Sequence, residues 1–261
     1  KARVNEAPQP YKSGGSYRLD ALDSYLQAVT ALQTRVCTTQ RDVLDCVAAQ
    51  MAATLQRDQR IFVFGTGHSH MMAEEAFYRA GGLAAAVPIF SPPLMLHEDV
   101  ALSSQLERQE GLAEPLLDRY APEPGEMLFV FSSSGVNPLP VEMALAGHAR
   151  GLYVVGVSSH AYARVAPLSP IGRRLDEVVD AAIDNGCAPG DAQLPLRDGW
   201  AVAAASTVVC ATIWNGLVAE AANRLQEAGV QPPVFASLNM DGAAAHNERL
   251  LAKWRPRNPH L

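Results

Sequence analysis

The sequence predicts a doubly wound α/β fold, in which a parallel sheet is covered by helices on both faces. Short apolar runs alternate along the chain with segments that carry apolar residues at helical spacing, as expected for strands joined by crossover helices. Two of the apolar runs end in turns rich in glycine or serine. The 261 residues are 48% hydrophobic and 18% charged, which supplies a large core and excludes a globally disordered chain.

Each element is predicted from its periodicity and from the residues that end it. Residues 61–64 form an apolar run that enters Gly65-Thr66-Gly67, which is typical of a buried parallel strand followed by a glycine turn. Asn137 is a suitable helix cap, Pro138 suits the first helical position, and Gly151 ends that helix. The predicted strands are 61–64, 84–90, 127–131, 152–157 and 178–183. The predicted helices are two within 17–57, then 69–80, 101–120, 138–150, about 199–228 and about 243–254.

The chain is expected to form one domain. Residues 1–16 have no apolar core and contain the run Ser13-Gly14-Gly15-Ser16, so we predict a tail or linker and not a signal peptide. Residues 17–261 are then predicted to be a single domain with an N-terminal helical extension.

One segment is long enough to cross a membrane. From Trp200 to Ala219 there is no charged residue, but the segment is built on alanine and contains polar side chains. This composition favours a helix buried in the core or against another subunit. Trp200 and Trp214 are expected to be packing residues.

Charge and cysteine content exclude several function classes. The net charge is −6 and there is no basic run, which argues against a nucleic-acid partner. The four cysteines are too few for a disulfide scaffold and form no C-x-x-C pair. We therefore expect reduced, mostly buried thiols and a cytoplasmic location, with neither nucleic acid nor membrane as a partner.

Two loops at predicted strand ends carry the functional signal. The first loop, residues 65–70, lets the backbone approach a ligand closely, but it lacks the third glycine of a dinucleotide fingerprint and the Lys of a Walker motif. The second loop, residues 132–137, offers three hydroxyls before a helix, and such donors bind phosphate without Lys or Arg. His68 and His70, with Glu74 one helical turn later, are only weak evidence for a metal site. We expect neither a metal nor a cofactor. Because ligands of doubly wound sheets sit beyond the carboxyl ends of the strands, the two loops together predict a phosphate site.

The pair of loops resembles those of the sugar isomerase (SIS) domain family, and the group that it resembles best is the stand-alone SIS proteins classed as phosphosugar isomerases. The resemblance spans about residues 17–255 and is carried by GTGHSHMMAEEAFYRAGG, LMLHEDVALSSQLERQEG, SSSGVNP, DNGCAPGD and DGAAAHNERL, in that order. It implies a SIS-type, five-stranded parallel sheet, a sugar phosphate at the strand ends, and a homodimer or homotetramer. The substrate-binding residues that it implies are Ser132, Ser134 and Asn137, with Ser133 and Gly135 beside them, and Gly67, His68 and Ser69 from the first loop.

Isomerisation of a sugar phosphate needs a base that moves a proton between C1 and C2, and a carboxylate or a histidine is suitable. Glu107 and Glu110 lie on one face of a predicted helix. The same spacing also occurs on a solvated helix face that takes no part in catalysis. The resemblance implies a catalytic glutamate in this part of the chain, and we prefer Glu107, with Glu110 second. His97 follows a proline-bounded loop near a strand end. For His246 the resemblance implies a C-terminal histidine that reaches the site, often from a neighbouring subunit.

Three functions remain open at this point. The leading hypothesis is a phosphosugar isomerase of carbohydrate metabolism that interconverts an aldose and a ketose phosphate through an enediolate. The second is an etherase or lyase acting on an amino-sugar phosphate such as N-acetylmuramic acid 6-phosphate; residues 135–138 and Pro92-Pro93 resemble that branch, but Phe90 stands where it has an acidic residue. The third is a non-catalytic sugar-phosphate sensor, although the N-terminal helices show no helix-turn-helix signature.

Overall fold

The fold class predicted from the sequence is confirmed. The computed structural model describes residues 20–261, so the tail predicted at residues 1–16 lies outside the described residues. Five parallel strands form one sheet in the order β2-β1-β3-β4-β5, and helices pack on both of its faces.

Strands and helices alternate along most of the chain, as the periodicity predicts. The sheet consists of β1 (Ile61–Gly65), β2 (Ala86–Pro88), β3 (Met127–Phe131), β4 (Tyr153–Ser158) and β5 (Ala181–Asp184). A separate antiparallel hairpin consists of β6 (Ala192–Pro195) and β7 (Ala201–Ala204). The helices are α1 (Asp20–Thr39), α2 (Arg41–Gln56), α3 (Met71–Ala76), α4 (Val100–Leu106), α5 (Ala113–Asp118), α6 (Pro138–Ala149), α7 (His160–Val165), α8 (Ser206–Glu227) and α9 (Ala243–Trp254).

The core has two layers because successive strand residues point to opposite faces of the sheet. In β3, Phe129 and Phe131 join the layer formed by α1, α2, α3 and α8, where Trp214 meets the Phe129 ring edge-on. Leu128 and Val130 join the other layer, formed with α5 and α6. Since both faces are buried, the strands appear in the sequence as continuous apolar runs.

The topology opens a crevice between β1 and β3. The chain leaves β1 into α3 on one face of the sheet and leaves β3 into α6 on the other. For this strand order the direction of winding reverses between β1 and β3, and ligands bind beyond the carboxyl ends of the strands at that point.

Three predicted helices differ from the structure. The helix expected over 69–80 is a 3-10 turn at Gly67–His70 followed by the short α3. The helix expected over 101–120 is divided into α4 and α5, with Gly111 in the break at a φ of +85° that favours glycine. The helix expected from about residue 199 begins only at Ser206, because the residues before it form the hairpin.

Two further expectations need correction. Trp200 lies on the hairpin and is 75% exposed, whereas Trp214 is buried as expected. Of the four cysteines, Cys187 and Cys210 are buried, but Cys37 and Cys46 are exposed. Over residues 20–261, none of the helices combines the length and the apolar character that a membrane span requires.

Candidate functional site

The two loops lie side by side because the strands before them are neighbours. Gly65, the last residue of β1, is in register with Phe131, the last residue of β3. Thr66 and Ser132 therefore leave the sheet next to each other. The prediction that both loops meet at the carboxyl edge of the sheet is confirmed.

The first loop folds back on itself, and glycine makes this possible. A Cβ atom at Gly65 would lie 2.3 Å from the Ser69 carbonyl oxygen, so no other residue fits there without a shift. Gly67 has a φ of +55°, and the Ser69 N–H donates to the Thr66 carbonyl at 3.0 Å. This turn leaves the His68 side chain exposed, while the His70 ring is buried and stacks on Phe90.

The second loop is held by the Ser132 side chain within it and by the residue that follows β4. The Ser132 hydroxyl accepts a hydrogen bond from the Gly135 N–H at 3.2 Å, and Gly135 has a φ of +64°. The Ser133 carbonyl accepts from the Ser159 N–H at 3.0 Å. Asn137 takes the cap position of α6 as predicted, but its side chain makes no capping hydrogen bond. The amide of Asn137 is thus left for other partners.

Both loops line one cavity of ≈ 730 Å³. Its remaining walls come from α4 with the segment before it, and from α7 with the loop after it. Gly135 is a buried residue of the second loop and does not line the cavity. The other residues that the resemblance assigns to substrate binding do line it: Gly67, His68, Ser69, Ser132, Ser133, Ser134 and Asn137.

Glu107 lies in the cavity wall as an oriented carboxylate. The Thr66 hydroxyl donates to Glu107 Oε2 at 3.0 Å, and the Arg108 guanidinium donates to Oε1 at 2.9 Å. Glu107 caps the C-terminus of α4, and its carbonyl accepts from the Leu139 N–H at the start of α6 at 3.2 Å. Thr66 and Arg108 were not identified from the sequence. The signal for Thr66 was its place between the two glycines of the first loop.

The cavity wall is mostly uncharged. Among its described lining residues, Glu107 is the one carboxylate and Arg108 the one guanidinium, and hydroxyls and amides supply most of the other polar groups. Within residues 20–261, no group of three or more His, Cys, Asp or Glu side chains is placed to hold a metal ion. At the second loop, where the sequence predicts the phosphate, the polar lining groups are neutral hydroxyls and an amide.

The other predicted catalytic residues lie outside the cavity of their own chain. Glu110 is exposed beyond the end of α4, and His97 is exposed before α4. His246 Nε2 lies 2.8 Å from the Val234 carbonyl, in a separate groove that Arg249 also lines. The structure of a single chain does not bring these three side chains to the site, so their roles stay predictions.

Comparison with known proteins identifies the family of the chain. A model described as the SIS domain matches residues 24–159. A UPF0309 protein of Geobacillus thermodenitrificans is 42% identical over 242 residues, which cover 92% of this chain and 97% of the relative. The chain belongs to the SIS domain family. The resemblance seen in the sequence is confirmed.

One further relative and two solved structures are similar to this SIS protein. A UPF0309 protein of Brucella canis is 42% identical over 226 residues, covering 83% of this chain and 92% of the relative. A phosphoheptose isomerase of Neisseria gonorrhoeae has the same fold at 14% identity, with a TM-score of 0.53 over 78% of this chain and 98% of that one. A phosphoheptose isomerase of Francisella tularensis gives a TM-score of 0.52 at 12% identity, covering 78% and 97%. These two structures support the assignment of the fold.

Proposed function

We propose that this SIS protein binds a sugar phosphate and isomerises it between an aldose and a ketose through an enediolate. The observation that carries the proposal is the hydrogen bond from Thr66 to Glu107, which fixes a carboxylate in the same cavity as the serine-rich second loop. Membership of the SIS family and the names of the two similar structures support the choice of a sugar phosphate.

The second loop is the proposed phosphate site. Ser133, Ser134 and Asn137 present hydroxyl and amide donors to the cavity at the N-terminus of α6. A 12-residue helix adds the positive end of its dipole to these donors. An anion at this position needs no lysine or arginine.

Glu107 is the proposed base. One carboxylate oxygen takes the proton from C2 of the open-chain aldose, the C2–H electron pair forms the C1=C2 bond of the enediolate, and the C1=O π pair moves to O1. The same carboxyl then returns the proton to C1, where the C1=C2 π pair forms the new C–H bond, while a proton passes from O2 to O1 and the O2–H pair forms the C2=O bond of the ketose. Thr66 and Arg108 each hold one oxygen of Glu107, which fixes the direction of the carboxylate. A fixed base next to a bound substrate is the requirement for efficient proton transfer.

The experiment follows solvent deuterium into C1 and C2 of a panel of pentose, hexose and heptose phosphates, by NMR. The wild-type protein is expected to exchange at least one panel member. Glu107→Gln is expected to lose exchange by a factor on the order of 100 or more while it still binds the substrate. Glu110→Gln tests the second candidate and is expected to keep the wild-type rate. Glu114→Gln, exposed on α5, is the matched control.

The outcomes separate the three functions. Binding of a sugar phosphate without exchange, at an affinity that Glu107→Gln does not change, would support a sensor instead. Release of lactate from N-acetylmuramic acid 6-phosphate would support the lyase. Loss of exchange in Glu110→Gln but not in Glu107→Gln would show that Glu110, and not Glu107, is the base.

A further inference from the structure

We propose that residues 184–187, the first half of the DNGCAPGD motif, form a positioning element for the phosphate site. They fix the turn that follows β4, and this turn orients the second loop so that N–H groups of the loop face the cavity. The inference rests on the proposed function, because it concerns how the proposed phosphate site is held in place. It gives a role to a motif that takes no direct part in the site, since none of residues 184–191 lines the cavity.

Two carbonyl groups of the second loop are held from outside the loop. The Ser133 carbonyl accepts from the Ser159 N–H, in the turn after β4, at 3.0 Å. The Gly135 carbonyl accepts from the Leu175 N–H at 2.8 Å. The orientation of two peptide groups of the loop is therefore set by residues that lie behind it.

These two contacts decide where N–H groups of the loop point. The carbonyl of one residue and the N–H of the next point in opposite directions across a planar trans peptide bond. The N–H groups of Ser134 and Val136 therefore point away from the contacts that hold the carbonyls of Ser133 and Gly135. Both Ser134 and Val136 line the cavity, and neither N–H donates to another backbone group of the described chain. Both are available to an anion.

Three hydrogen bonds join the turn at residues 158–160 to the motif at residues 184–187. They are the bond from the His160 N–H to the Asp184 carboxylate at 3.0 Å, from the Asn185 N–H to the Ser158 carbonyl at 2.9 Å, and from the Ser159 hydroxyl to the Cys187 carbonyl at 2.6 Å. Each residue of the turn is thus bonded to the motif. Ser158 and Ser159 are buried, so water does not replace a bond that is lost there.

The motif is itself fixed, which allows it to support the turn. Asp184 Oδ1 accepts from the Gly186 N–H at 2.9 Å, and Asn185 Oδ1 accepts from the Cys187 N–H at 3.0 Å. The Arg35 guanidinium of α1 donates to the Gly186 carbonyl at 2.6 Å. Gly186 has a φ of +65°, a conformation that favours glycine. The motif therefore has one defined shape, and its side chains keep a fixed place relative to the turn.

The experiment changes Asp184, because its Oδ1 accepts from both the turn and the motif. Calorimetry measures the affinity for inorganic phosphate well below the thermal midpoint of each variant. Asp184→Ala removes the acceptor and is expected to weaken phosphate binding by roughly 10-fold, the effect of about one lost hydrogen bond. Asp184→Asn keeps an acceptor oxygen, and its affinity is expected to stay within about 3-fold of the wild type.

Steady-state deuterium exchange gives a second measurement. Asp184→Ala is expected to raise KM more than it lowers kcat, because the motif supports the phosphate site and not the base. Glu107 is held instead by Thr66 and Arg108. A fall in kcat at unchanged KM would contradict the inference.

Asn258→Ala is the matched control for a loss of stability. Asn258 is buried and donates to the Ala86 carbonyl of β2 at 3.2 Å, whereas Asp184 ends β5 at the opposite edge of the sheet. The control is expected to lower the thermal midpoint and to keep the wild-type affinity for phosphate. Wild-type affinity in Asp184→Ala would overturn the inference, and so would equal weakening in Asp184→Ala and Asp184→Asn.

Two further variants keep the test decisive. Ser159→Ala removes the bond to Cys187 and serves if Asp184→Ala does not fold; it is expected to weaken phosphate binding in the same way, and wild-type affinity would again overturn the inference. Ser134→Ala separates the inference from the proposed function. If Ser134→Ala weakens phosphate binding and the variants of Asp184 and Ser159 do not, the phosphate site stands and the inference falls. If Ser134→Ala has no effect either, the proposed phosphate site falls together with the inference.

Discussion

Ser132 and Ser134 have different tasks in the second loop, although the sequence presents them as equivalent. The Ser132 hydroxyl already accepts a hydrogen bond from Gly135 N–H, and it is buried, so it holds the shape of the loop. Ser134 lines the cavity, and the described structure gives its hydroxyl no partner. Ser134 is therefore the cleaner probe of phosphate binding.

Replacement of Ser134 by alanine is expected to weaken binding of inorganic phosphate by roughly 10- to 100-fold, because a hydrogen bond to a charged group contributes about 1.5–3 kcal/mol. Calorimetric titration measures the affinity, and the thermal midpoint is expected to stay unchanged. Ser132→Ala is expected to lower both. Ser24→Ala, exposed on α1, is the control. Unchanged affinity in a Ser132→Ala, Ser134→Ala double variant would exclude the loop as the phosphate site.

His260 is a partly buried histidine whose surroundings predict that the stability of the protein depends on pH. Its Nε2 lies 2.9 Å from the Tyr120 hydroxyl, and its ring meets Phe90 edge-on. Burial lowers the pKa of His260, and the positive charge of Arg119 lowers it further. An unfolded histidine titrates near 6.5, so protons favour the unfolded chain as the pH falls below about 6.5.

The stabilising effect of a neutral His260 is therefore complete above about pH 6.5 and declines at lower pH. We expect the urea midpoint of the wild type to fall between pH 7.5 and 5.5, and His260→Gln to show a smaller fall. His148→Gln, on the exposed end of α6, is expected to follow the wild type. An equal fall in His260→Gln and the wild type would show that His260 is not the titrating group.

The hairpin shows where prediction of elements from the sequence failed. Residues 201–204 consist of alanine and valine, so in the sequence they look like a continuation of the apolar segment that begins α8. The predicted helix was therefore extended over them. The missed signal is Asp198-Gly199, since Asp-Gly between two short runs is a strong hairpin indicator. The five sheet strands were predictable because a short, continuous apolar run between two turns is typical of a parallel strand that is buried on both faces.

A buried ion pair joins the amino ends of β1 and β3, opposite the site. Arg60 Nε donates to Glu126 Oε1 at 2.6 Å, and a second bond from Arg60 reaches Oε2 at 2.7 Å. Arg257, from the C-terminal segment, donates to the same carboxylate at 3.0 Å. Both Arg60 and Glu126 are buried, so neither can exchange its partner for water.

We expect Glu126→Gln to lower the free energy of unfolding by about 3–5 kcal/mol, because it leaves the buried Arg60 charge without its counter-ion. Urea denaturation measures this change. The control is Asp118→Asn, which removes an exposed partner of Arg150 and is expected to cost less than about 1 kcal/mol. Equal costs for the two variants would contradict the prediction. Phosphate affinity is expected to stay unchanged in both variants, since the pair lies at the far edge of the sheet.

At the scale of the whole molecule, topology decides what the sequence can reveal about the site. The two loops were predictable because strand ends of one parallel sheet share an edge. The contact between Thr66 and Glu107 was not, because it joins residues 41 positions apart in the chain, one in the first loop and one at the end of α4. His246 lies in a separate groove, and no local sequence pattern indicates that position.

The apolar helix that the sequence predicts to be buried, in the core or against another subunit, packs largely within its own chain. Much of α8 is buried within its own chain, whereas α1 and the hairpin expose a patch made of Leu22, Leu26, Leu196, Trp200 and Val202. The Tyr25 hydroxyl donates to the Ala204 carbonyl at 2.7 Å, which holds α1 against the hairpin. A monomer rarely leaves such a group of large apolar side chains in water.

We therefore expect a homodimer or homotetramer in solution, as the sequence predicts, with this patch in the subunit contact. Light scattering of the wild type measures the mass, and Trp200→Asp is expected to shift it toward that of one chain, because a buried unpaired carboxylate opposes association. Val165→Asp places the same charge on a side chain of α7 that is 66% exposed and is the matched control. A wild-type monomer would contradict the prediction of oligomerisation, whereas an oligomer that Trp200→Asp leaves intact would move the contact to another face.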